Sequence, residues 1–251
     1  MKLLLTNDDG IQSSALLALA KELEKEHELI IAAPDAQKSA TGHSITIESP
    51  IIIRPVSLEG ISSKAYSISG TPADCVRVAI DKLASDNFDM VISGINLGTN
   101  LGTDVLYSGT VSAAIEAAIY KIPSIAISSE VRKDKLCYDI AAKFAPKILD
   151  IAIKNGIYKD LVLNVNVPCI EEEDIKGIKV CPIGDKTYDN YYLESTTESN
   201  EISVLLRGTL NGNIGEGTDK FYFNNGYVTI TPLHYDLTNF KILHEVDNWF
   251  K

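Results

Sequence analysis

Two adjacent carboxylates, Asp8 and Asp9, end the apolar run in LLLTNDDG (residues 3–10) and are followed at once by Gly10. Held about 4 Å apart at an effective dielectric near 20, two carboxylates repel by roughly 4 kcal/mol. A hard divalent cation such as Mg²⁺, Mn²⁺ or Ca²⁺ would offset that repulsion and fill its shell with carbonyl, hydroxyl and water oxygens. The competing arrangement has one Asp capping the next helix and the other in water, with Gly10 serving only the turn. A glycine directly after the pair also suits close approach of backbone to a ligand.

Two further segments carry similar chemistry. APDAQKSATGHS (33–44) holds Ser39, Thr41, Gly42, His43 and Ser44. Its hydroxyls can complete a metal shell or hold an anion, or the segment is a plain turn into ITIES; His43 is an acid/base candidate. GINLGTNLGTDVLYSGT (94–110) places Gly94, Gly98 and Gly102 four residues apart. That spacing matches neither GxGxxG nor GxxxxGK[ST], so it is neither a dinucleotide fingerprint nor a Walker A loop. Asn96, Thr99 and Asn100 between the glycines argue against a transmembrane packing motif. Ser108, Gly109 and Thr110 open the next helix, where hydroxyls and N–H groups make an anion site. Two carboxylates, the Asn96 amide, hydroxyls and a helix N-terminus together describe a cation bridging to a phosphate ester attacked by water. Enzymes accelerate phosphate-monoester hydrolysis by up to about 10²¹, a demand that Lewis-acid charge neutralisation suits.

To converge, the three segments must leave the same edge of one sheet. Residues 3–6, 28–34, 65–69, 89–93 and 124–128 read as strands. Residues 13–26, 71–84 and 109–121 read as helices, with Ser13 or Ser14 able to cap the first and Thr71–Pro72 opening the second. Residues 45–56 alternate and contain Pro50 and Pro55, which predicts an edge hairpin. Alternating strands and helices imply right-handed crossovers and a doubly wound, mostly parallel α/β sheet. Ligands of such sheets bind beyond the carboxyl ends of the strands, which is where all three polar segments fall. A helix over about 137–154 and a strand over 161–168 complete the core.

Residues 1–251 read as one domain, with an α/β core over 1–170 and a β-rich extension and tail over 171–251. In the extension IKVCPI, ISVLLRG and GYVTITPL are β-like, whereas YYLESTTESNE and NGNIGEGTD read as exposed turns. The tail NFKILHEVDNWF reads as a short helix docking Trp249 and Phe250.

The chain has 251 residues, 45% hydrophobic and 23% charged, and a net charge of −11. That charge argues against a nucleic-acid polymer as partner. No run approaches the ~18 apolar residues of a membrane span, and no export signal is apparent at the N-terminus, so a cytoplasmic location is expected. Cys75, Cys137, Cys169 and Cys181 are scattered without a CxxC, which favours free buried thiols over disulfides.

MKLLLTNDDG, Ser39, SGINLGTNLGTDVLYSGTVSAAIEA and GYVTITPLHYDLT, supported by SGTPADCV and LNVNVP, resemble the SurE (survival protein E) family of 5′-nucleotidases across nearly the whole chain. The resemblance implies a Rossmann-like, cytoplasmic, metal-dependent phosphatase of nucleoside 5′- or 3′-monophosphates. It implies one Mg²⁺ or Mn²⁺ per subunit on Asp8, Asp9, Ser39 and Asn96, with Asp8, Asp9 and Asn96 as the catalytic centre. Asn100, Ser108, Gly109 and Thr110 match the family's phosphate side, and a C-terminal arm would build a homodimer or homotetramer. The second loop departs from the family's RSGS-type pattern, reading KSATGHS with Ser39 kept. The rival readings are a haloacid-dehalogenase-type phosphatase, for which residues 1–12 lack the required D-x-D, and a non-catalytic nucleotide-binding module.

Overall fold

Short apolar runs that end in turn residues become the strands of the computed structural model, which describes every residue except 85, 133–134, 157, 186–187, 197–200 and 211–213. In chain order the strands are β1 (Lys2–Thr6), β2 (Glu28–Pro34), β3 (Ile53–Val56), β4 (Lys64–Ile68), β5 (Met90–Leu97) and β6 (Ser124–Ser129). They continue with β7 (Val131–Arg132), β8 (Lys135–Leu136), β9 (Val162–Val167), β10 (Ile178–Val180), β11 (Tyr188–Thr196), β12 (Ile202–Leu210) and β13 (Val228–Leu233). The helices are α1 (Ser14–Leu23), α2 (Pro72–Val78), α3 (Gly109–Ile119), α4 (Tyr138–Lys154), α5 (Asp219–Asn224) and α6 (Leu243–Asn248).

Nine strands form one sheet in the order β10-β13-β9-β6-β5-β1-β2-β4-β3. It is parallel from β4 through β2, β1, β5 and β6 to β9, and turns antiparallel at β3 and between β9 and β13. The chain moves outward from β1 to β2 and β4, then restarts on the other side of β1 with β5. The crevice between β1 and β5 is therefore the topological switch point, where doubly wound sheets bind ligands.

Burial on both faces explains the uninterrupted leucines of β1. Leu3 and Leu5 pack with Leu16 and Leu19 of α1 and Ile148 of α4, while Leu4 packs with Val76 of α2 and Ala113 and Ala117 of α3. All three leucines are fully buried, each contributing about 1.5–3 kcal/mol of apolar burial. Alanines along α3 keep its axis close to the sheet, which brings its N-terminus over the switch point. Thr71 opens α2 with a capping box: its hydroxyl accepts from Asp74 N, and the Asp74 carboxylate accepts from Thr71 N. Ser13 sits at the N-cap of α1, but its hydroxyl makes no capping bond.

Several local expectations change. Of 45–56 only β3 forms a strand, antiparallel to β4 at the sheet edge where Pro55 is tolerated, and Ile47 stands 82% exposed. YYLESTTESNE is no turn up to Thr196: Tyr188–Thr196 is β11, paired with β12 in a two-stranded ribbon outside the main sheet, because its aromatic and β-branched residues find cross-strand partners. Residues 197–200 of that stretch, and 211–213, lie outside the described residues. Within 171–251, β10 and β13 belong to the main sheet and the ribbon does not. The tail helix forms, yet Trp249 and Phe250 are 66% and 84% exposed rather than docked.

The free-thiol reading is corrected for two of the four cysteines: Cys137 and Cys169 form a disulfide, with Cα atoms 5.3 Å apart. The fold brings the start of α4 beside the end of β9, a proximity that their separation of 32 residues does not advertise. Cys75 and Cys181 are free and buried. Among the described residues no helix is long and apolar enough to cross a membrane.

Candidate active site

Asn7 closes the turn that carries the two carboxylates. Its side-chain amide donates to Gly10 O (3.0 Å) while its Oδ1 accepts from Gly10 N (3.1 Å), and Asn7 is fully buried. Gly10 stands at φ +100°, a conformation side chains rarely adopt. Ile11 N donates to Pro34 O, and Lys38 N donates to Asp8 O at 2.7 Å, which draws the second loop against the first. Neither Asp8 nor Asp9 caps α1, whose N-cap is Ser13.

Asp8 is 4% exposed and accepts a 2.5 Å hydrogen bond from Thr110 Oγ1. Burial pushes its carboxyl up to about 6 against the opposing pull of the Thr110 bond, and the Asp9 charge adds to the push. Burial also raises Asp9, opposed by bonds from Leu97 N (3.2 Å) and Gln37 Nε2 (3.3 Å). Gln37 Nε2 also donates to Ser39 Oγ at 2.9 Å, so one side chain holds Asp9 and Ser39 together. A β-bulge between Ser93 and Asn96 re-aims the end of β5. There Asn96 Nδ2 donates to Gly98 O at 2.7 Å, which leaves its carbonyl oxygen as the acceptor for a cation.

Asp8, Ser39, Asn96, Asn100, Tyr107 and Ser108 line one cleft of about 310 Å³. Two roomier clefts, about 370 and 460 Å³, lie at the amino ends of the strands and between α1 and α4. In the former, Glu24 is committed to Ser62 and Ser63. Chemistry rather than volume marks the site. Among the described residues no three His, Cys, Asp or Glu converge. A cation at Asp8 and Asp9 would thus complete its shell with neutral oxygens from Ser39 and Asn96, the donor set of a hard divalent ion. The residues present fit such an ion.

The phosphate-side residues fall in different places. Ser108 caps α3, its Oγ accepting from Val111 N at 3.1 Å. Gly109 must be glycine because a Cβ would lie 2.9 Å from Asp8 Cβ and 3.1 Å from Pro72 Cγ. Thr110 is fully buried and its hydroxyl is committed to Asp8, so it holds the carboxylate rather than lining the cleft, contrary to its expected place on the phosphate. Asn100 lines the cleft, with its amide donating to Ser128 Oγ at 2.8 Å. His43 is no part of the cleft lining: its Nε2 lies 2.6 Å from Glu116 Oε2, and Arg77 binds the other carboxylate oxygen at 2.8 Å.

Several supporting residues escaped the sequence reading. Asn166 Oδ1 accepts from Asn100 N (2.8 Å), and the Asn164 and Asn166 amides donate to Asn100 O at 2.9 and 3.2 Å. The signal was two asparagines one residue apart in an otherwise apolar buried strand, where unsatisfied amides would be costly. Gln37 and Asn7 carried no comparable sign.

Fold and cleft together define a Rossmann-like α/β protein whose switch-point site sets carboxylate, hydroxyl and amide oxygens beside a helix N-terminus. The family model of survival protein SurE matches residues 3–190. The chain is 56% identical to 5′-nucleotidase SurE of Clostridium tetani over 250 residues, covering all of both chains. It is 53% identical to 5′-nucleotidase SurE of Clostridium botulinum, covering all of this chain and 99% of the relative. The crystal structure of SurE from Aquifex aeolicus superposes with a TM-score of 0.88 at 37% identity, covering both chains fully. This chain belongs to the SurE family, and membership implies a divalent metal cofactor.

Proposed function

We propose that this chain hydrolyses nucleoside 5′-monophosphates, and 3′-monophosphates as a second class, to nucleoside and phosphate. The observation that carries the reading is one cleft joining buried Asp8 to Ser39, Asn96 and the N-terminus of α3, with half-buried Asp9 bonded to Leu97 N and Gln37 beside it. The relatives named 5′-nucleotidase support the choice of substrate. Asp8, Asp9, Ser39 and Asn96 would hold one Mg²⁺ or Mn²⁺ per subunit, Asp8 and Asp9 balancing its charge. When bound, such an ion supplies Lewis-acid polarisation of the phosphoryl group and a lowered pKa for the attacking water.

The chain's own residues do the rest. Thr110 orients Asp8, and Gln37 sets the spacing between Asp9 and Ser39. Asn100, Ser108 and the backbone at Gly109 orient the phosphate at the positive end of α3. A cytoplasmic location belongs to the same reading, because nucleoside monophosphates are an intracellular pool; fractionation of cells checks it.

The test is Asp8→Asn. Turnover of a nucleoside 5′-monophosphate should fall by at least about 10³-fold while the circular dichroism spectrum and melting curve stay near wild type. Wild-type rates in that variant would overturn the assignment. EDTA should abolish activity and Mg²⁺ or Mn²⁺ restore it, whereas a non-catalytic binding module shows no turnover to lose. Trapping of an aspartyl phosphate (an acyl phosphate) on Asp8 would favour dehalogenase-type chemistry instead.

A further inference from the structure

Behind the cleft, Asp219 is fully buried in the first turn of α5. Its Oδ2 accepts from Gly102 N at 2.8 Å, and its Oδ1 accepts from Gly184 N at 2.8 Å and Lys220 N at 2.7 Å. Asp219 N in turn donates to Pro182 O at 3.0 Å. These bonds join two regions remote in sequence. Gly102 begins the 3₁₀ turn Gly102–Leu106, two residues after Asn100; the cleft residue Asp104 lies within that turn and the cleft residue Tyr107 directly follows it. Pro182–Gly184 and Thr218–Asp219 are the stretches from which the chain departs toward the β11–β12 ribbon and to which it returns.

A buried carboxylate is tolerated only where hydrogen-bond donors meet its lone pairs. A carboxylate also has two accepting oxygens, whereas a side-chain amide has one. Asp219 can therefore hold the amides of Gly102 and Gly184 on opposite oxygens, which no other side chain of its size can do. Asn100 is pinned independently to β6 and β9, so Asp219 governs the part of the loop that follows it. We propose that Asp219 is a positioning residue for the reaction: it sets the 102–106 rim of the cleft from the roots of the ribbon without touching substrate. The inference rests on the phosphatase reading above and deepens it. The metal donors Asp8, Asp9, Ser39 and Asn96 sit on other segments and should be unaffected.

Asp219→Asn tests this in the full chain, with folding checked by circular dichroism well below the melting temperature. KM for a nucleoside 5′-monophosphate, or kcat/KM where saturation is lost, should worsen by about 10–100-fold, as expected for a misplaced binding element. Mn²⁺ affinity by titration calorimetry should stay within about threefold, since the donors are not displaced. A purely structural role would lower the melting temperature while leaving KM of the folded protein unchanged, and that result overturns the proposal. If Asp219→Asn does not fold, Gly184→Ala replaces it, because its Cβ would press on Asp219 Oδ1 and Thr218 at 3.2 Å. That variant should shift KM in the same direction by a smaller factor, and an unchanged KM is again fatal. A wild-type chain inactive on every nucleotide sinks the phosphatase reading and this inference with it; an active wild type with unaltered variants sinks this inference alone.

Discussion

Asp8 gathers the consequences of its position more than any other residue. Burial and the Asp9 charge both disfavour its ionised form, and Thr110 is the counterweight inside the protein. Thr110→Val keeps the shape of the side chain and removes the 2.5 Å donor. We expect Mn²⁺ affinity to fall by about tenfold, the scale set by loss of a residue that orients a metal ligand, with the melting temperature also lowered. Calorimetric titration reads the first and a thermal melt the second. Unchanged Mn²⁺ affinity would show that Thr110 serves packing alone. Asp8 and Asp9 were conspicuous in the sequence because like charges were adjacent, whereas Gln37 and Asn7 were not, because a neutral amide shows its purpose only once its partners are placed.

At the scale of elements, α3 does two jobs. Its N-terminus meets Asp8 through Gly109 and Thr110, and its middle anchors the second loop through Glu116. Burial raises the Glu116 carboxyl, but bonds from His43 and Arg77 outweigh it and leave the group below its ordinary value of 4.5. A carboxyl lowered on folding contributes stability that is complete above the unfolded value and lost as pH falls through the folded one. Glu116→Gln should therefore cost roughly 2 kcal/mol near neutral pH. The gap from wild type should close as the pH drops below 4.5. Urea denaturation at pH 7 and pH 3.5 measures both, and a gap of equal size at the two values would refute the ionic account. His43, an acid/base candidate when only its type was known, straps the Ser39 loop to α3 through Glu116.

On the scale of the whole molecule, the β11–β12 ribbon is the feature one subunit does not account for. A lone two-stranded ribbon is marginal in water, yet this one exposes Tyr192 at 65%, Leu206 at 51% and Ile202 at 68%. Tyr192 and Leu206 are direct cross-strand partners. We propose a homodimer or homotetramer in which these ribbons meet their counterparts. Leu206→Asp should shift sedimentation equilibrium toward a smaller species. A wild type that sediments as a monomer at micromolar concentration would remove the arm from the argument.

Apolar runs, helix caps and turn residues determined the doubly wound sheet, because each is a local signal: buried strands must be apolar on both faces, and Thr71–Pro72 or Ser108 act within one turn. The same locality made Asp8, Asp9 and the 94–110 segment legible as chemistry. Long-range proximity was decided only by the tertiary structure. Asn164 and Asn166 on Asn100, Asp219 on Gly102, and Cys137 against Cys169 are pairs 32 or more residues apart. That neither Asp8 nor Asp9 caps α1 was likewise decided only by where the helix begins, with Ser13 at its N-cap. A sequence displays which groups a chain carries; hydrogen bonds act over about 3 Å, so which of those groups meet is known only after the chain has folded.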